Sequence, residues 1–307
     1  MFKISVLIAA LLALGSFVAD LAQAQPSRVF VAAQGSDANP CTFALPCRTF
    51  QHAHDVVAAN GEIDVLDPAG YGTVAITKAI SIQGHGFAGI AVPSLGNGIS
   101  VNAGPTDKVS VRGLLLDCMG TGQNGIVFTA GGSLDVHDSL IRNCAGDGIL
   151  FTPLTSGVLF VSNTHVAGNG DVGIAVLFAG GSTSGAIDHV VVENNGSSGI
   201  NFFNTGATSF TVSDSIVSNN GIGISLTASA NAARVLVRNV VVSNNGGNGV
   251  LSSGAAALLV IAKSAIFKNG TGFQTLDTGQ LVSYGDNELA LNGTDGTGAI
   301  TGTFTPH

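Results

Sequence analysis

A short phrase, glycine followed by isoleucine or another large apolar residue, recurs at a nearly constant interval along most of this chain. Its eight copies begin at Gly98, Gly125, Gly148, Gly173, Gly199, Gly223, Gly249 and Gly272. Successive copies lie 23 to 27 residues apart, about 25 on average. A fixed period of this length is typical of solenoids, in which each repeat forms one coil and packs only on its neighbours.

Apolar residues alternate with period two inside each unit, as at Ile149 and Phe151. This spacing places them on one face of a short strand. A second strand precedes each phrase by about 12 residues, as in Leu159-Phe160-Val161, and a third follows it, as in Ile216-Val217. Three strands and their turns fill about 25 residues and leave no room for a long helix. The pattern therefore predicts an all-β solenoid of parallel strands.

Asparagine and aspartate recur at two fixed places in the unit. Asn tolerates the left-handed backbone that a sharp corner requires, and side chains stacked about 4.8 Å apart can hydrogen-bond as a ladder. Because every coil has these residues, we interpret both columns as structural rather than as rows of ligands. The column that closes the third strand is Asn143, Asn169, Asn195, Asn220, Asn245, Asn269 and Asn292, and the column between the second and third strands is Asp138, Asn163, Asp214, Asn239 and Asp286.

Residues 1–24 have the pattern of a signal peptide. Lys3 provides the positive end, Ile4 to Phe17 provides the apolar core, and Ala22-Gln23-Ala24 fits the cleavage site. The apolar run is shorter than the roughly 18 residues of a membrane span. We therefore expect export to the periplasm or the extracellular space, with no membrane span after cleavage.

Three further segments follow the signal peptide. Residues 25–61 form an N-terminal cap, in which apolar spacing predicts one helix over Thr49 to Ala59. Such a helix would cover the open end of the first coil and protect its edge. Residues 62–292 form the solenoid, and the Gly- and Thr-rich residues 293–307 are expected to form an irregular tail.

Four cysteines suit an oxidising compartment. Cys41 and Cys47 lie beside two prolines in one loop, which favours a disulfide, with a zinc site completed by nearby histidines as the alternative. Cys118 and Cys144 are 26 residues apart, about one coil, so stacking would bring them within disulfide range. The sequence predicts two bridges, Cys41–Cys47 and Cys118–Cys144.

The charge distribution excludes nucleic acid as a partner. The chain has 11 Lys and Arg residues against 19 Asp and Glu residues, a net charge of −8, and the basic residues are scattered. Nucleic-acid binding requires a basic stripe that neutralises phosphates. Binding of other polyanions has the same requirement.

The opening Gly35-Ser36-Asp37-Ala38-Asn39-Pro40-Cys41, the element Pro46-Cys47-Arg48-Thr49-Phe50 and the coil pattern resemble secreted bacterial proteins of the right-handed parallel β-helix, pectate-lyase-like superfamily. The resemblance covers about residues 27–292. It implies a right-handed parallel β-helix solenoid with a short N-terminal capping helix. It does not select an activity, because this superfamily includes lyases, hydrolases, epimerases and adhesins.

The resemblance also implies that catalytic groups would lie on outward positions of the strand after the Asn turn. A lyase needs a base there, and a hydrolase needs two carboxylates. None of these positions is ionisable in this chain: they are Val127, Thr129, Leu150, Thr152, Ala175, Leu177, Asn201, Phe203, Ser225, Thr227, Leu251 and Ser253. The remaining candidates for a catalytic or calcium site lie around the preceding turn, at Asp147, Asp171, Glu193 and Arg142.

Histidine and aromatic residues add no clear site. His137, His165 and His189 lie on neighbouring coils but at different local positions, so they do not predict convergent metal ligands. The chain has no Trp and two Tyr, and we assign most of its 16 Phe residues to the core. We predict no cofactor, with calcium as the open alternative.

These observations favour an exported, non-catalytic β-helix that binds a carbohydrate or a cell surface. One alternative is a polysaccharide lyase, hydrolase or epimerase with a reduced site at the four turn residues. The other is a structural or adhesive solenoid that binds through an apolar stripe of Leu150, Leu177, Phe203 and Leu251. Pectate-lyase-type activity is not expected, because the net charge of −8 repels an anionic polymer and the outward strand positions carry no base.

Overall fold

Parallel strands wound into a solenoid make up nearly all of the molecule. The computed structural model describes residues 24–178, 181–204, 206–297, 300 and 302–303. These residues contain one helix, α1, and thirty strands, numbered β1 to β30 in chain order. The fold is a parallel β-helix of about nine turns with about 25 residues per turn, as the repeat predicts. The predicted signal peptide lies outside the described residues, except for Ala24.

The strands of successive coils stack into three faces. The first face contains β1 Arg28–Val31, β2 Gly61–Val65, the first halves of β5 Ile80–Ala91 and β7 Lys108–Asp117, β9 Ser133–His137, β12 Gly157–Ser162, β15 Ser182–Asp188, β18 Ala207–Ser213, β21 Ala233–Arg238, β24 Ala257–Ala262, β27 Gln280–Ser283 and β30 Gly302–Thr303. The second face contains β3 Ala69–Gly70, the second halves of β5 and β7, β10 Leu140–Arg142, β13 His165–Ala167, β16 Val191–Glu193, β19 Ile216–Ser218, β22 Val241–Ser243, β25 Ala265–Phe267 and β28 Glu288–Ala290. The third face contains β4 Val74–Ile76, β6 Asn97–Asn102, β8 Asn124–Ala130, β11 Ile149–Phe151, β14 Ile174–Phe178, β17 Ser198–Asn204, β20 Ile222–Ala228, β23 Asn248–Ser253, β26 Thr271–Leu276 and β29 Thr294–Thr297.

The alternating apolar residues fill the interior. On the third face, Ile149, Ile174, Ile200 and Ile224 pair in register on successive coils and are fully buried. The predicted interior column and its register are therefore confirmed. A slip of one residue would have moved the whole column to the surface.

The glycine of each repeated phrase permits a close approach between coils. A Cβ atom on Gly199 would lie 2.5 Å from Cγ1 of Val217 and 2.9 Å from the carbonyl oxygen of Gly223, the matching glycine of the next coil. The same carbonyl approach recurs from Gly125 to Gly249. The most regular feature of the sequence is thus a packing constraint.

Left-handed residues turn two of the corners. Between the second and third faces they include Asn143, Asn194, Asn219 and Asn244, whereas the predicted Asn169, Asn195, Asn220 and Asn245 are not left-handed. Between the first and second faces, Asp138, Asn163, Asp214 and Asn239 have φ of 46° to 54°, as their residue types predict. The prediction is wrong for Asp286, which is not a left-handed residue. The left-handed residue is Lys263 on the preceding coil, with φ of 50°, and its backbone N–H donates a hydrogen bond to Oδ1 of Asp286.

A buried ladder of amides runs along the corner between the second and third faces. In it, the Oδ1 of each Asn accepts hydrogen bonds from the preceding coil, and the members are Asn169, Asn195, Asn220, Asn245, Asn269 and Asn292. The assignment of Asn143 to this column is wrong. Asn143 lies one residue earlier in the turn, with φ of 58°, and Cys144 occupies the ladder position.

Both predicted disulfides are present. Cys118 and Cys144 join adjacent coils with a Cα–Cα distance of 4.6 Å, and Cys41 and Cys47 close the N-terminal loop with the same distance. The bridge at Cys144 stands where the amide ladder would otherwise continue. In this coil a covalent link therefore replaces the amide hydrogen bonds.

The N-terminal cap contains α1, Phe50–Val56. Oγ1 of Thr49 accepts a hydrogen bond from the N–H of His52, so Thr49 is the N-cap as predicted. The helix ends three residues before the predicted Ala59, because Val57 is already extended. With seven residues, α1 is too short to cross a bilayer, and no other helix is present in the described part of the chain.

The solenoid extends beyond its predicted bounds at both ends. Strand β1 pairs with β2, so the cap segment already contributes a strand to the first face. In the segment expected to be an irregular tail, β29 pairs with β26 and β30 pairs with β27. The expectation for the tail is therefore wrong where the structure describes it.

Candidate functional site

The four candidates around the turn do not form one site. Arg142 ends β10, and its Nε lies 2.8 Å from Oδ2 of Asp117 on the preceding coil. Glu193 ends β16, and its Oε1 lies 3.1 Å from Nε2 of His165. Both charges are thus paired with residues outside the predicted set.

Asp147 and Asp171 lie in the turn between the second and third faces. Asp147 is 9% exposed, and its Oδ1 accepts a hydrogen bond from the N–H of Val172 at 3.0 Å. Its own N–H donates to Oδ1 of Asn124 at 2.9 Å. Burial, with the neighbouring charge of Asp171, raises the pKa of Asp147 to about 6. These contacts link three successive coils, so the carboxyl group serves to brace the turn.

The outward positions of the third face point as predicted, but they form no open platform. Val127, Ala175, Ser225 and Ser253 are buried despite their outward register. In the proposed adhesive stripe, Phe203 is 53% exposed, whereas Leu150, Leu177 and Leu251 are half-buried. The apolar stripe is therefore interrupted.

The ionisable side chains gather instead on the outside of the first face. Strand pairing places one residue from each coil in a row, which we call the polar column: Asp64, Gln83, Arg112, His137, Ser162, Asp188, Ser213 and Arg238. Eight successive coils thus present a hydrogen-bonding or charged group at the same position. The outward row of the third face that runs through Val127, Leu150, Ala175, Asn201, Ser225 and Leu251 contains no charged side chain.

A groove of about 720 Å³ runs beside the polar column. Its lining comes from five coils and includes Ser81, Lys108, Ser110, Asp135 and Phe160. Phe160 lies on the outside of β12 and is 44% exposed, although it was assigned to an apolar strand in the sequence. The groove therefore combines an aromatic ring with hydroxyl, ammonium and carboxylate groups.

Three residues at the edge of this groove contact one another. Asp135 and His137 lie two residues apart on β9 and so share its outer side, and Ser162 is the neighbour of His137 on the next coil. Oγ of Ser162 is hydrogen-bonded to Nδ1 of His137. Nε2 of His137 lies 2.6 Å from Oδ1 of Asp135, an ion-pair distance, although this Oδ1 accepts no hydrogen bond. About a third of each of the Asp135 and His137 side chains is exposed, so solvent reaches the cluster.

Two sets of metal-ligating side chains converge within the described ranges. One is Cys41, Cys47 and His52, whose sulfurs are consumed by the disulfide. The other is Asp188, His189 and Asp214 at the first corner, where Nδ1 of His189 already lies 2.6 Å from Oδ2 of Asp188. Neither set contains a residue of the predicted calcium site.

The family described as the right-handed beta helix region matches residues 124–293, more than half of the chain. The chain belongs to this family. The right-handed solenoid that the resemblance implied is thereby confirmed.

Solved structures show the same architecture at low sequence identity. The A-modules of two mannuronan C-5 epimerases from Azotobacter vinelandii, AlgE4 and AlgE6, are each 16% identical to this chain with a TM-score of 0.57. The match to AlgE4 covers 74% of this chain and 68% of that module. The match to AlgE6 covers 78% of this chain and 74% of that module. The enzymatically active domain of tailspike protein 2 from bacteriophage CBA120 is 12% identical with a TM-score of 0.55, covering 87% of this chain and 43% of its own. No curated protein sequence matches the chain. At these identities the likeness concerns the β-helix fold alone.

Proposed function

We propose that this right-handed β-helix is an exported protein that binds an extended, largely uncharged polysaccharide in the groove of its first face. The observation that carries the proposal is Phe160, an aromatic ring nearly half exposed among hydrogen-bonding groups. Aromatic rings pack on the apolar faces of ligands, and neighbouring polar groups fix their orientation. The two disulfides favour an oxidising compartment, which supports export.

The shape of the groove favours a polymer over a small ligand. Its lining residues come from five successive coils, and coils stack about 4.8 Å apart, so the groove is about 20 Å long. An extended chain lying along the solenoid axis would meet one set of side chains per coil. The regular spacing of the coils thus suits a ligand with a regular repeating unit.

The charge of the groove favours a neutral or weakly charged polymer. Lys108 is the cation in the lining, and Asp135, two residues beyond its partner Ser133 on the next coil, adds the opposite charge. The whole chain carries a net charge of −8, which repels a polyanion at low ionic strength. Two structural neighbours that are named mannuronan C-5 epimerases supply an independent reason to begin with polysaccharides.

Phe160→Ala tests the proposal, with Phe203→Ala as the matched control because Phe203 is similarly exposed on the third face. Affinity gel electrophoresis against a panel of neutral, acetylated and uronate polysaccharides would identify a ligand, and calorimetry would measure its affinity. We expect Phe160→Ala to weaken binding about tenfold, the equivalent of about 1.4 kcal/mol, and Phe203→Ala to bind like wild type. Unchanged binding in Phe160→Ala, or no binding to any polymer, would overturn the proposal.

A further inference from the structure

We infer that Asp135, His137 and Ser162 form a hydrolytic site that cleaves acyl esters, with an O-acylated sugar as the substrate class. Ser162 is the nucleophile, His137 is the general base and Asp135 is a positioning residue. The choice of sugar rests on the proposed function of the adjoining groove, whereas the chemistry rests on the three side chains themselves.

The contacts of His137 set the direction of proton transfer. One ring nitrogen of a neutral imidazole carries a proton and the other accepts one. The negative charge of a carboxylate close to Nε2 favours the tautomer with the proton on Nε2 even without a hydrogen bond between them, and Asp135 is that carboxylate, 2.6 Å away. Nδ1 is then the acceptor, and it faces Oγ of Ser162. This is the order of a nucleophile, a base and an orienting acid, in which the base activates the hydroxyl group.

The polar column contains a second serine that shows what is particular to Ser162. Ser213 occupies the same position two coils further on, but its Oγ donates to Oδ1 of Asp188 at 2.6 Å. A carboxylate with a low pKa is a poor base for a hydroxyl group, whereas imidazole is suited to neutral pH. Ser213 is half-buried in the same row, as Ser162 is, but it lacks the activation by imidazole.

The reaction is balanced with water as the only co-reactant. Oγ of Ser162 attacks the ester carbonyl carbon while its proton passes to Nδ1 of His137. The tetrahedral intermediate collapses, the carbon–oxygen bond to the sugar breaks, and the sugar oxygen takes the proton from His137. Water then attacks the acyl group while its proton passes to Nδ1 of His137. The bond between the acyl carbon and Oγ of Ser162 breaks, the carboxylic acid leaves, and Oγ takes the proton back from His137.

The surroundings favour esters over amides. Backbone N–H groups on this face are used in the strand ladders, as between β9 and β12, so they do not build an oxyanion hole. Arg112 is the neighbour of His137 on the opposite coil, with its Nε 2.7 Å from Oδ2 of Asp138. The remaining guanidinium hydrogens of Arg112 are cationic donors one coil away from His137. An ester, which has a better leaving group than an amide, requires less stabilisation of this kind.

A fluorophosphonate probe with peptide mapping tests the nucleophile without any sugar. Attack by Ser162 would form an oxygen–phosphorus bond and release fluoride. We expect label on the peptide containing Ser162 and none on the peptide containing Ser213. Absence of label at Ser162, or equal labelling of the two serines, would overturn the inference even if the groove binds a polysaccharide.

Hydrolysis of p-nitrophenyl acetate gives the kinetic test. We expect Ser162→Ala and His137→Ala to lose at least a hundredfold in kcat/KM, and Ser213→Ala to match wild type. Asp135→Asn should lower kcat about tenfold or more with KM unchanged, which a purely structural role would not produce. Far-UV circular dichroism checks folding; if Ser162→Ala does not fold, labelling of the wild-type protein decides. Equal hydrolysis by folded Ser162→Ala and wild type would refute the site.

Discussion

The amide ladder allows one substitution to be worked through from its contacts. Asn220 is 4% exposed, and its Oδ1 accepts hydrogen bonds from the backbone N–H and the Nδ2 of Asn195 at 3.0 and 2.9 Å. Its Nδ2 donates to the carbonyl of Val192 and to Oδ1 of Asn245, each at 3.2 Å. Asn220→Ala removes all four bonds in a place that water does not reach.

The cost follows from the donors left behind. Two donor groups of Asn195 lose their partner, and a buried group without a hydrogen bond costs about 1–3 kcal/mol. We therefore expect Asn220→Ala to lower the free energy of unfolding by about 3 kcal/mol or more. Urea titrations of the disulfide-bonded protein, followed by far-UV circular dichroism, measure the change.

Asn292→Ala is the matched control at the end of the same ladder. Oδ1 of Asn292 accepts the same pair of bonds, from the backbone N–H and Nδ2 of Asn269 at 2.9 and 3.0 Å. Asn292 is only half-buried, so water can replace what is lost, and we expect a loss of about 1 kcal/mol. Equal losses for the two variants, or a loss below about 1 kcal/mol for Asn220→Ala, would refute the reasoning.

Three further outcomes follow from the structure. Replacing both Cys118 and Cys144 by Ser opens a link of 26 residues and should lower stability by about 3 kcal/mol; wild-type cysteines that alkylate without reductant would contradict the bridge. Burial raises the pKa of Asp147 from 3.8 to about 6. The protonated form therefore stabilises the fold below about pH 4, and this stabilisation is lost as the pH rises through 6. Asp147→Asn, which stays neutral, should have the melting temperature of wild type at pH 4 and a higher one than wild type at pH 7.5. Gly199→Ala should lower the free energy of unfolding by about 1–3 kcal/mol through overpacking. Gly246→Ala should leave it unchanged, because a Cβ atom there would meet nothing within 4 Å. Equal melting temperatures for these two variants would argue against the packing role of the repeated glycine.

The interior could be predicted from the sequence because period-two alternation and a fixed coil length both act on it. Ile149 and its stacked partners satisfy both signals at once. The position of the amide ladder was harder to predict at Asn143, because the next residue is Cys144 and either residue could have occupied the corner. A one-residue difference within a turn changes no periodicity, so only the pairing between coils resolves it.

The cluster on the first face was not predicted, for a related reason. Alternation alone places Asp135 and His137 on one side of β9, but Ser162 joins them only through the register between two coils. Coil lengths vary, so that register cannot be read from the spacing of the repeated phrase. Phe160 was not recognised because it lies between two buried residues, Leu159 and Val161, in a strand whose one polar side chain, Ser162, stands at its end.

The amide ladder also has a consequence for how such a protein can change in length. Each Asn accepts from one neighbour and donates to the other, so a duplicated segment of a whole coil would bring its own donor, acceptor, glycine and interior residues. Gene duplication in units of about 25 residues can therefore lengthen the solenoid without disturbing either end. Deletion of one residue within a strand would instead put the rest of that strand out of phase and turn its apolar side outward. Natural length variation in this architecture should therefore occur in whole coils or within the turns.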